Sequence, residues 1–379
     1  AKNQSIKPEE TLIFLDEIQA CPNAIAKLRY FYEELPRYPI VAAGSLLEFV
    51  LDHEIKSFPV GRVEFMYMFP LVFEEYLDAV GEFKLLEFVR GVELGESFSE
   101  IVVNKLRQFY RDYLLVGGMP ESVSRFLATS SMVNVGSSAE TLIRTLEEDF
   151  KKYHSRFDPE HLEFVFSEVP KWIGRQINFA KLGGHLLKSQ QVSKAVELLQ
   201  KAMLVTKVEA LTSIQYPFVR KERTHPKLFY VDIGLAQHQN RMSREIMEAH
   251  LFSSIYSGGL VEQFIAQELL TIVGSVTKPN LFFWVAEKRT QLADVDFIFP
   301  YKHYAIPVEV KSGKGSTLAS LHQFNLLYHP PVSVRVYDGP PSIETVSVNL
   351  PNEKSVSYRL LSMPHFLFRQ LPRFLDSVL

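Results

Sequence analysis

Apolar and polar positions along this chain form patterns typical of both strands and helices. Residues 12–15 are an apolar run too short for a helix, which predicts a fully buried parallel strand. A second such run lies within residues 37–49. From about residue 81 to 170 the apolar positions recur at helical spacing, as at Leu142, Leu146, Phe150 and Tyr153. The pattern predicts an α/β chain whose first strands are followed by packing helices.

The middle of the chain has the element order of a winged helix-turn-helix. Residues 177–211 predict a helix, a turn, a second helix and a strand, and the inner face of the second helix would hold Val196, Leu199 and Met203. Residues 216–234 would form the wing. They contain the densest basic cluster of the chain, which consists of Arg220, Lys221, Arg223 and Lys227.

The basic cluster suggests contact with nucleic acid. Each Lys or Arg that neutralises a phosphate releases counterions, so such contacts are sensitive to salt and insensitive to sequence. The second helix offers few side chains for reading bases: Lys194, Glu197, Gln200 and Lys201. The alternative is that this unit is a lid or packing module of a multidomain protein and that its charged loop is only solvated.

The C-terminal third carries the most complete set of chemical groups. Residues 258–273 predict an amphipathic helix, and residues 281–286, 293–301 and 303–313 predict three strands. Residues two apart in a strand share a face, so Glu309 and Lys311 project together, and so do Asp294 and Asp296.

With Glu262 from the helix, this segment resembles the restriction-endonuclease-like PD-(D/E)xK core. The resemblance implies that Asp296 and Glu309 ligate Mg²⁺, that Lys311 attends the attacking water and that Glu262 completes the set. Asp294 competes with Asp296, because the segment has ADVDF in place of a clean PD. Residues 323–328 only approximate the glutamine-tyrosine motif of some nucleases. The alternative is an inactive nuclease-like fold used for packing or recognition.

Two adjacent acids, Asp16 and Glu17, follow the first apolar run. The carboxyl ends of parallel strands are where open α/β sheets bind ligands. In P-loop ATPases an Asp at this point helps hold Mg²⁺ and a neighbouring Glu can orient the attacking water. The alternative is that Asp16 caps the helix that follows.

Longer stretches in order along the chain resemble the bacterial AAA-type ATPases that carry a C-terminal domain of unknown function. They are RYPIVAAGSLLEF at 37–49, SFPVGRVEFMYMFPLVFEEYL at 57–77, VGGMPESV at 116–123, PKLFYVDIGLA at 226–236 and GGLVEQFIAQELL at 258–270. The resemblance implies that Asp16 and Glu17 are the Walker B acids, that Ser45 is near the sensor position and that Arg62 is a trans-acting finger. For Arg62 a surface ion pair is an equal alternative.

A Walker A loop, G-x-x-x-x-G-K-[ST], does not occur in the sequence. SGKGST at 312–317 is not one, because Gly315 follows Lys314 and Val308 occupies the place of the first glycine. In the resembling family the phosphate-binding loop precedes Walker B, so Ala1 is expected to lie after it. ATP, the cofactor of intact family members, is therefore not expected to bind tightly to or be hydrolysed by this chain.

Composition narrows the remaining classes. No apolar run reaches the ~18 residues of a membrane span, and the single cysteine, Cys21, excludes an internal disulfide and favours a cytoplasmic location. The net charge of -3 means that any nucleic-acid contact must come from a local basic surface. The histidines have no HExxH spacing, and no G-x-S-x-G elbow is present.

The predicted organisation is α/β with four parts: the C-terminal part of a P-loop AAA-type ATPase domain at 1–80, a helical and winged-helix domain at 81–248, a restriction-endonuclease-like domain at 249–340, and an extension at 341–379. The expected function is ATPase-associated nucleic-acid processing with a metal-dependent nuclease. The expected partners are nucleic acid and further copies of the chain, without a membrane. The alternative is a non-enzymatic binding or scaffold protein.

Overall fold

A computed structural model describes residues 6–44, 61–96, 98–151, 157–214, 218–221, 224–241, 258–274, 276, 278, 280–286, 293–312, 317–350 and 354–379. The helices are α1 Pro22–Glu34, α2 Phe73–Ala79, α3 Phe83–Gly91, α4 Glu100–Val116, α5 Pro120–Thr129, α6 Met132–Lys151, α7 Pro159–Glu168, α8 Phe179–Gly183, α9 Ser189–Lys201, α10 Ile233–Gln239, α11 Gly258–Ile272, α12 Ala319–Tyr328 and α13 Leu371–Val378. The strands are β1 Ile13–Leu15, β2 Ile40–Ala42, β3 Val205–Ser213, β4 Val219–Arg220, β5 Lys227–Tyr230, β6 Phe282–Val285, β7 Asp294–Tyr301, β8 Tyr304–Val310, β9 Ser333–Tyr337, β10 Ser342–Leu350 and β11 Lys354–Pro364.

The two N-terminal strands are parallel neighbours, as their apolar runs predicted. They are not fully buried, however, because Phe14 is 57% exposed and Val41 is 45% exposed. The two-stranded sheet packs one face on Ile25 and Leu28 of α1. The described residues place no layer on its other face, so the prediction of complete burial was wrong.

In the described part of the chain, nine strands form one mixed sheet. Its order is β10-β11-β9-β8-β7-β6-β3-β4, and β5 pairs with β3 outside this path. The sheet thus continues across the predicted boundaries at 248/249 and 340/341. The hairpin of β10 and β11 was not predicted from the sequence. It pairs in parallel with β9 and extends the sheet beyond the predicted C-terminal module.

Helix α11 lies at the centre of the largest hydrophobic core. Its apolar side chains, such as Phe264 and Leu269, pack among residues from α2, α4 and the nine-stranded sheet. The sequence predicted an amphipathic helix, but residues 261–270 are all buried. The polar members of this stretch therefore need hydrogen-bond partners inside the protein.

The predicted helix-turn-helix region contains α7, α8 and α9, followed by β3. Val196 and Leu199 are buried in a second core, as expected for the inner face of α9. Met203 does not share that face, because α9 ends at Lys201 and Met203 has a left-handed φ of 59°. Tyr153, expected on a packing helix, lies outside the described residues.

Candidate active site

Four elements bring charged side chains together on one side of the nine-stranded sheet. Lys227 begins β5, Glu262 is in the first half of α11, Asp296 is in β7, and Glu309 is near the end of β8. The Lys227 Nζ atom is 2.9 Å from Glu262 Oε2 and 2.9 Å from Asp296 Oδ1. Lys311, just after β8, places its Nζ atom 2.7 Å from Glu309 Oε1. The structure thus brings together Glu262, Asp296, Glu309 and Lys311, and it adds Lys227.

Glutamine side chains fix α11 against the strand that carries Lys227. The Gln263 side chain accepts a hydrogen bond from the Tyr230 backbone N–H and donates one to the Tyr230 carbonyl, both at 2.8 Å. One turn later Gln267 accepts from the Ile233 N–H at 3.1 Å. Glu262 is therefore held at a defined distance from β5. Sequence analysis missed these glutamines because it treated the polar positions of α11 as a solvent-facing stripe.

A register shift directs Asp296 into the site. β7 pairs with β6 through Phe282–Ile298 and Trp284–Val295, so Asp296 and Phe297 together lie opposite the single residue Phe283. Such a bulge turns a side chain away from the regular alternation of the strand. The Asp296 Oδ2 atom accepts the Val310 backbone N–H at 2.9 Å, and this bond joins β7 to the end of β8.

Asp294 and Asp296, which the sequence left as competitors, have different environments. Asp294 starts β7 and pairs with Val285, whereas Asp296 contacts Lys227 and Val310. Asp294 is close enough to raise the pKa of Glu262 and Glu309 by charge repulsion, but it ranks behind Asp296 in both cases. Asp296 is therefore the aspartate that the structure connects directly to the other site residues.

Lys311 is oriented from its backbone as well as by Glu309. The buried His365 ring donates from Nε2 to the Lys311 carbonyl at 2.9 Å. Burial lowers the pKa of His365 to about 4, so the ring is neutral at pH 7. Sequence analysis found no role for His365, which lies 54 residues from Lys311 along the chain. At 20% exposure, the Lys311 side chain is the most accessible of the site's lysines and acids that are paired.

The burial of several carboxylates changes their proton affinity. Burial raises the pKa of Glu262 to about 8, with a further rise from Asp296 and an opposing effect from Lys227. Burial likewise raises the pKa of Glu309 to about 8, with Asp296 adding to it and Lys311 opposing it. Burial lowers the pKa of Lys227, but the charges of Asp296 and Glu262 outweigh this effect and the pKa is raised. Lys227 is therefore a permanent cation between the two acids.

Metal ligation is only partly satisfied by this arrangement. Among the residues that the structure describes, no group of three or more His, Cys, Asp or Glu side chains could hold a metal ion. Lys227 explains this for Glu262 and Asp296, because its ammonium lies between them. Glu309 retains a buried Oε2 atom without a hydrogen-bond partner. Carboxylate oxygens suit Mg²⁺, so Asp296 and Glu309 fit a divalent ion best at the Glu309 end of the site.

The basic wing prediction needs one correction. The Lys227 side chain is only 2% exposed, so it cannot contact nucleic-acid phosphates as predicted. Its position at the start of a fully buried strand, not in a loop, is the physical reason. Arg220 is exposed and lies 2.7 Å from Glu209, and Lys221 Nζ donates to the Ala286 carbonyl at 3.4 Å. Arg223 lies outside the described residues.

The N-terminal acids lie at the carboxyl end of β1, beside the parallel strand β2. The Asp16 carboxylate accepts the Glu17 N–H at 3.1 Å, and Glu17 has a left-handed φ of 50°. Glu17 is the N-cap of the following 3₁₀ turn and Cys21 is the N-cap of α1, so Asp16 caps neither. Arg62 Nε lies 2.9 Å from Glu33 in an exposed ion pair. Ser45 falls outside the described residues.

A second buried acid in α11 leads to a pH prediction. Glu268 Oε1 accepts the Phe73 N–H at 3.0 Å, and burial raises the pKa of Glu268 to about 7 from an ordinary 4.5, against the lowering effects of Phe73 and Arg369. The folded state thus holds a proton that the unfolded state releases between these values. The resulting stability is present below about pH 4.5 and is lost as the pH rises through about 7.

We expect Glu268→Gln to remove this loss. Its free energy of unfolding should equal that of the parent chain near pH 5 and exceed it at pH 8 by on the order of 2 kcal/mol. Urea unfolding at both pH values measures the difference, with the exposed Glu344→Gln as the control. An unchanged pH dependence in Glu268→Gln would show that Glu268 ionises normally in the folded protein.

Three family models match the chain, each over a different part. A model described as "AAA domain" matches residues 1–77. Models described as "Domain of unknown function (DUF8612)" and "Domain of unknown function (DUF4143)" match residues 107–245 and 257–351. The chain matches no curated protein and no solved structure. It carries an ATPase-like AAA domain followed by two domains of unknown function, in the order that the resemblance implied.

The candidate site combines residues from two of the matched regions. Lys227 belongs to the region 107–245, whereas Glu262, Asp296 and Glu309 belong to the region 257–351. In the described residues, no helix has the length and apolar character that a membrane crossing requires.

Proposed function

We propose that the C-terminal module is a restriction-endonuclease-like domain that cleaves nucleic acid with the help of a divalent metal ion. The observation that carries the proposal is the convergence of Asp296, Glu309 and Lys311, with Glu262 nearby, from one helix and two adjacent strands. Buried carboxylates beside a partly exposed lysine are unusual for a purely structural surface and typical of catalytic sites.

Each side chain has a distinct role in this proposal. Asp296 and Glu309 would hold Mg²⁺, which when bound polarises the scissile phosphate and stabilises the attacking and leaving oxygens. Lys311, at the more exposed end, would orient the attacking water. Glu262 would act through Lys227, to which it is hydrogen-bonded at 2.9 Å. The bulge at Asp296 and the bond from Val310 would keep the two metal ligands close together.

The test is incubation of the full chain with single- and double-stranded DNA and RNA, in Mg²⁺ or Mn²⁺ and in a chelator. We expect cleavage of at least one substrate with either metal and none in the chelator. Absence of cleavage on every substrate would sink the nuclease proposal. It would favour the second candidate, a binding or scaffold protein with an inactive nuclease-like fold. The specific observation favouring that candidate is that Lys227 already occupies the space between Glu262 and Asp296.

For the AAA domain, the proposal assigns Walker B roles to the two N-terminal acids. Asp16 would contact Mg²⁺ and Glu17 would orient the attacking water in a nucleotide site, with Ser45 near the sensor position and Arg62 acting across a contact between copies of the chain. The position of Asp16 at the carboxyl end of β1, beside parallel β2, supports this assignment. The exposed pair of Arg62 with Glu33 equally supports the alternative of a surface ion pair.

The winged-helix assignment rests on α7, α8, α9 and the antiparallel pairing of β3 with β4 and β5. We propose that the turn between β3 and β4 approaches nucleic acid through Arg220, Lys221 and Arg223. Replacing these three by glutamine should weaken binding and reduce its salt dependence by up to about three charges in the logarithmic slope. Fluorescence anisotropy over a salt series measures this change.

The matched control changes the same number of charges on distant helices: Lys105, Arg125 and Arg144 to glutamine. These side chains are exposed and paired with nearby glutamates. Unchanged affinity and slope in the wing variant would favour the lid interpretation instead.

A further inference from the structure

Lys227 is an unusually buried lysine with two acidic partners from distant parts of the chain. Its side chain is almost fully enclosed, and its ammonium contacts Glu262 Oε2 and Asp296 Oδ1 at 2.9 Å each. These partners lie 35 and 69 residues away along the sequence. The same ammonium lies 5.7 Å from the centre of the Phe283 ring. Two carboxylates and an aromatic face thus surround a single positive charge.

The surroundings make the positive charge necessary. Two carboxylates that approach one cation repel each other when that cation is removed, and burial leaves little water to screen them. Glu262 cannot withdraw, because the glutamines of α11 hold the helix to β5 and because Gly174 and Gly259 meet closely beside it. A Cβ atom at Gly174 would lie 2.7 Å from the Gly259 Cα and 3.1 Å from Glu262 Oε1. Asp296 is held by its bond from Val310.

The geometry points to Lys227 as a built-in cation that takes the place of a metal ion between Glu262 and Asp296. It is supplied by the region matched at 107–245 and completes a site whose acids come from the region matched at 257–351. The metal ion of the proposed nuclease is thereby confined to Asp296 and Glu309. The inference rests on the proposed function only for that last step, because the ammonium's own role is independent of cleavage.

The first experiment removes the ammonium and asks whether a metal ion can replace it. Lys227→Ala leaves both acids and opens space for a hydrated ion. In chelator its melting temperature should fall below that of the parent chain. With millimolar MnCl₂ or MgCl₂ it should recover by at least about twice the shift that the parent shows, because a new site binds only the folded state. Lys221→Ala, another lysine loss nearby, should show no extra recovery.

The second experiment separates charge from volume. Lys227→Met keeps the length of the side chain but not its charge, so it should be less stable than the parent and should not recover with metal. Adding Glu262→Gln to Lys227→Met removes one of the two stranded charges and should raise the melting temperature above that of Lys227→Met alone. This comparison remains informative if Lys227→Ala fails to fold.

Two outcomes would overturn the inference: no extra metal-dependent recovery in folded Lys227→Ala, or equal melting temperatures for Lys227→Met with and without Glu262→Gln. Both are measured without any cleavage assay. A parent chain that never cuts nucleic acid, together with metal recovery in Lys227→Ala, would remove the nuclease proposal and leave the cation role standing. Cleavage by the parent without recovery in Lys227→Ala would do the reverse.

Discussion

Replacing Glu309 by alanine is expected to abolish metal-dependent cleavage while leaving the protein folded. Glu309 is one of the two carboxylates proposed to hold the ion, and losses of outer partners of metal ligands already cost about 10- to 100-fold. Loss of the ligand itself should therefore lower the cleavage rate by about 100-fold or more. The rate is measured under single-turnover conditions at saturating Mg²⁺.

Stability should move in the opposite direction from activity. Glu309 is buried, its Oε2 atom lacks a hydrogen bond, and burial raises its pKa to about 8. Removing it therefore relieves a desolvated group, and we expect Glu309→Gln to melt at or above the temperature of the parent chain. Glu344→Gln, an exposed carboxylate on β10 of the same sheet, is the control and should retain full activity. Full activity in Glu309→Ala would show that the cleavage comes from another site.

The second large effect concerns folding and involves the motif at residues 116–123. The Gly118 N–H donates to Asp232 Oδ2 at 2.7 Å, and the Gly118 carbonyl accepts the Leu71 N–H at 2.8 Å. A Cβ atom at Gly118 would lie 2.0 Å from the Leu71 carbonyl oxygen. Because the obstructing atoms are backbone atoms already in hydrogen bonds, they cannot turn aside as a side chain would.

We expect Gly118→Ala to lower the free energy of unfolding by about 3 kcal/mol or more. Gly91 supplies the matched control: it is the last residue of α3, and a Cβ atom there would meet nothing within 4 Å. Gly91→Ala should be neutral or stabilising by up to about 1 kcal/mol, because alanine loses less backbone entropy in a helix. Urea unfolding of both variants measures the contrast. Equal stability of the two would mean that the chain near Leu71 can move away at little cost.

Asp232 illustrates why these motifs could be found in the sequence but not interpreted there. PKLFYVDIGLA and VGGMPESV supported a resemblance, yet nothing local indicated that they meet. In the structure Asp232 is fully buried and accepts hydrogen bonds from Gly118 and Leu235. A Cβ atom at Gly234 would lie 2.4 Å from the Val116 carbonyl oxygen. The two motifs therefore share a close backbone contact between α4 and α10.

Local patterns were sufficient to predict the strands and helix that carry the acids. The period of two in VEVK placed Glu309 and Lys311 on one face, because alternation is a property of any extended strand. The apolar length of α11 placed Glu262 on a helix, and the β-branched runs predicted β7 and β8. These features depend on residues close in sequence, so the sequence by itself determined them.

Long-range packing decided what the local patterns could not. A lysine beside Pro226 looked like part of a basic loop, and only the approach of Glu262 and Asp296 made its burial favourable. The bulge that directs Asp296 depends on pairing with β6, and the exposure of Phe14 depends on which layers cover β1. The elements and the spacing of the acids were determined by the sequence alone. The partner of Lys227 and the face of each strand that is covered were decided by the tertiary structure, because the free energy of burying a charge or an apolar side chain depends on distant neighbours.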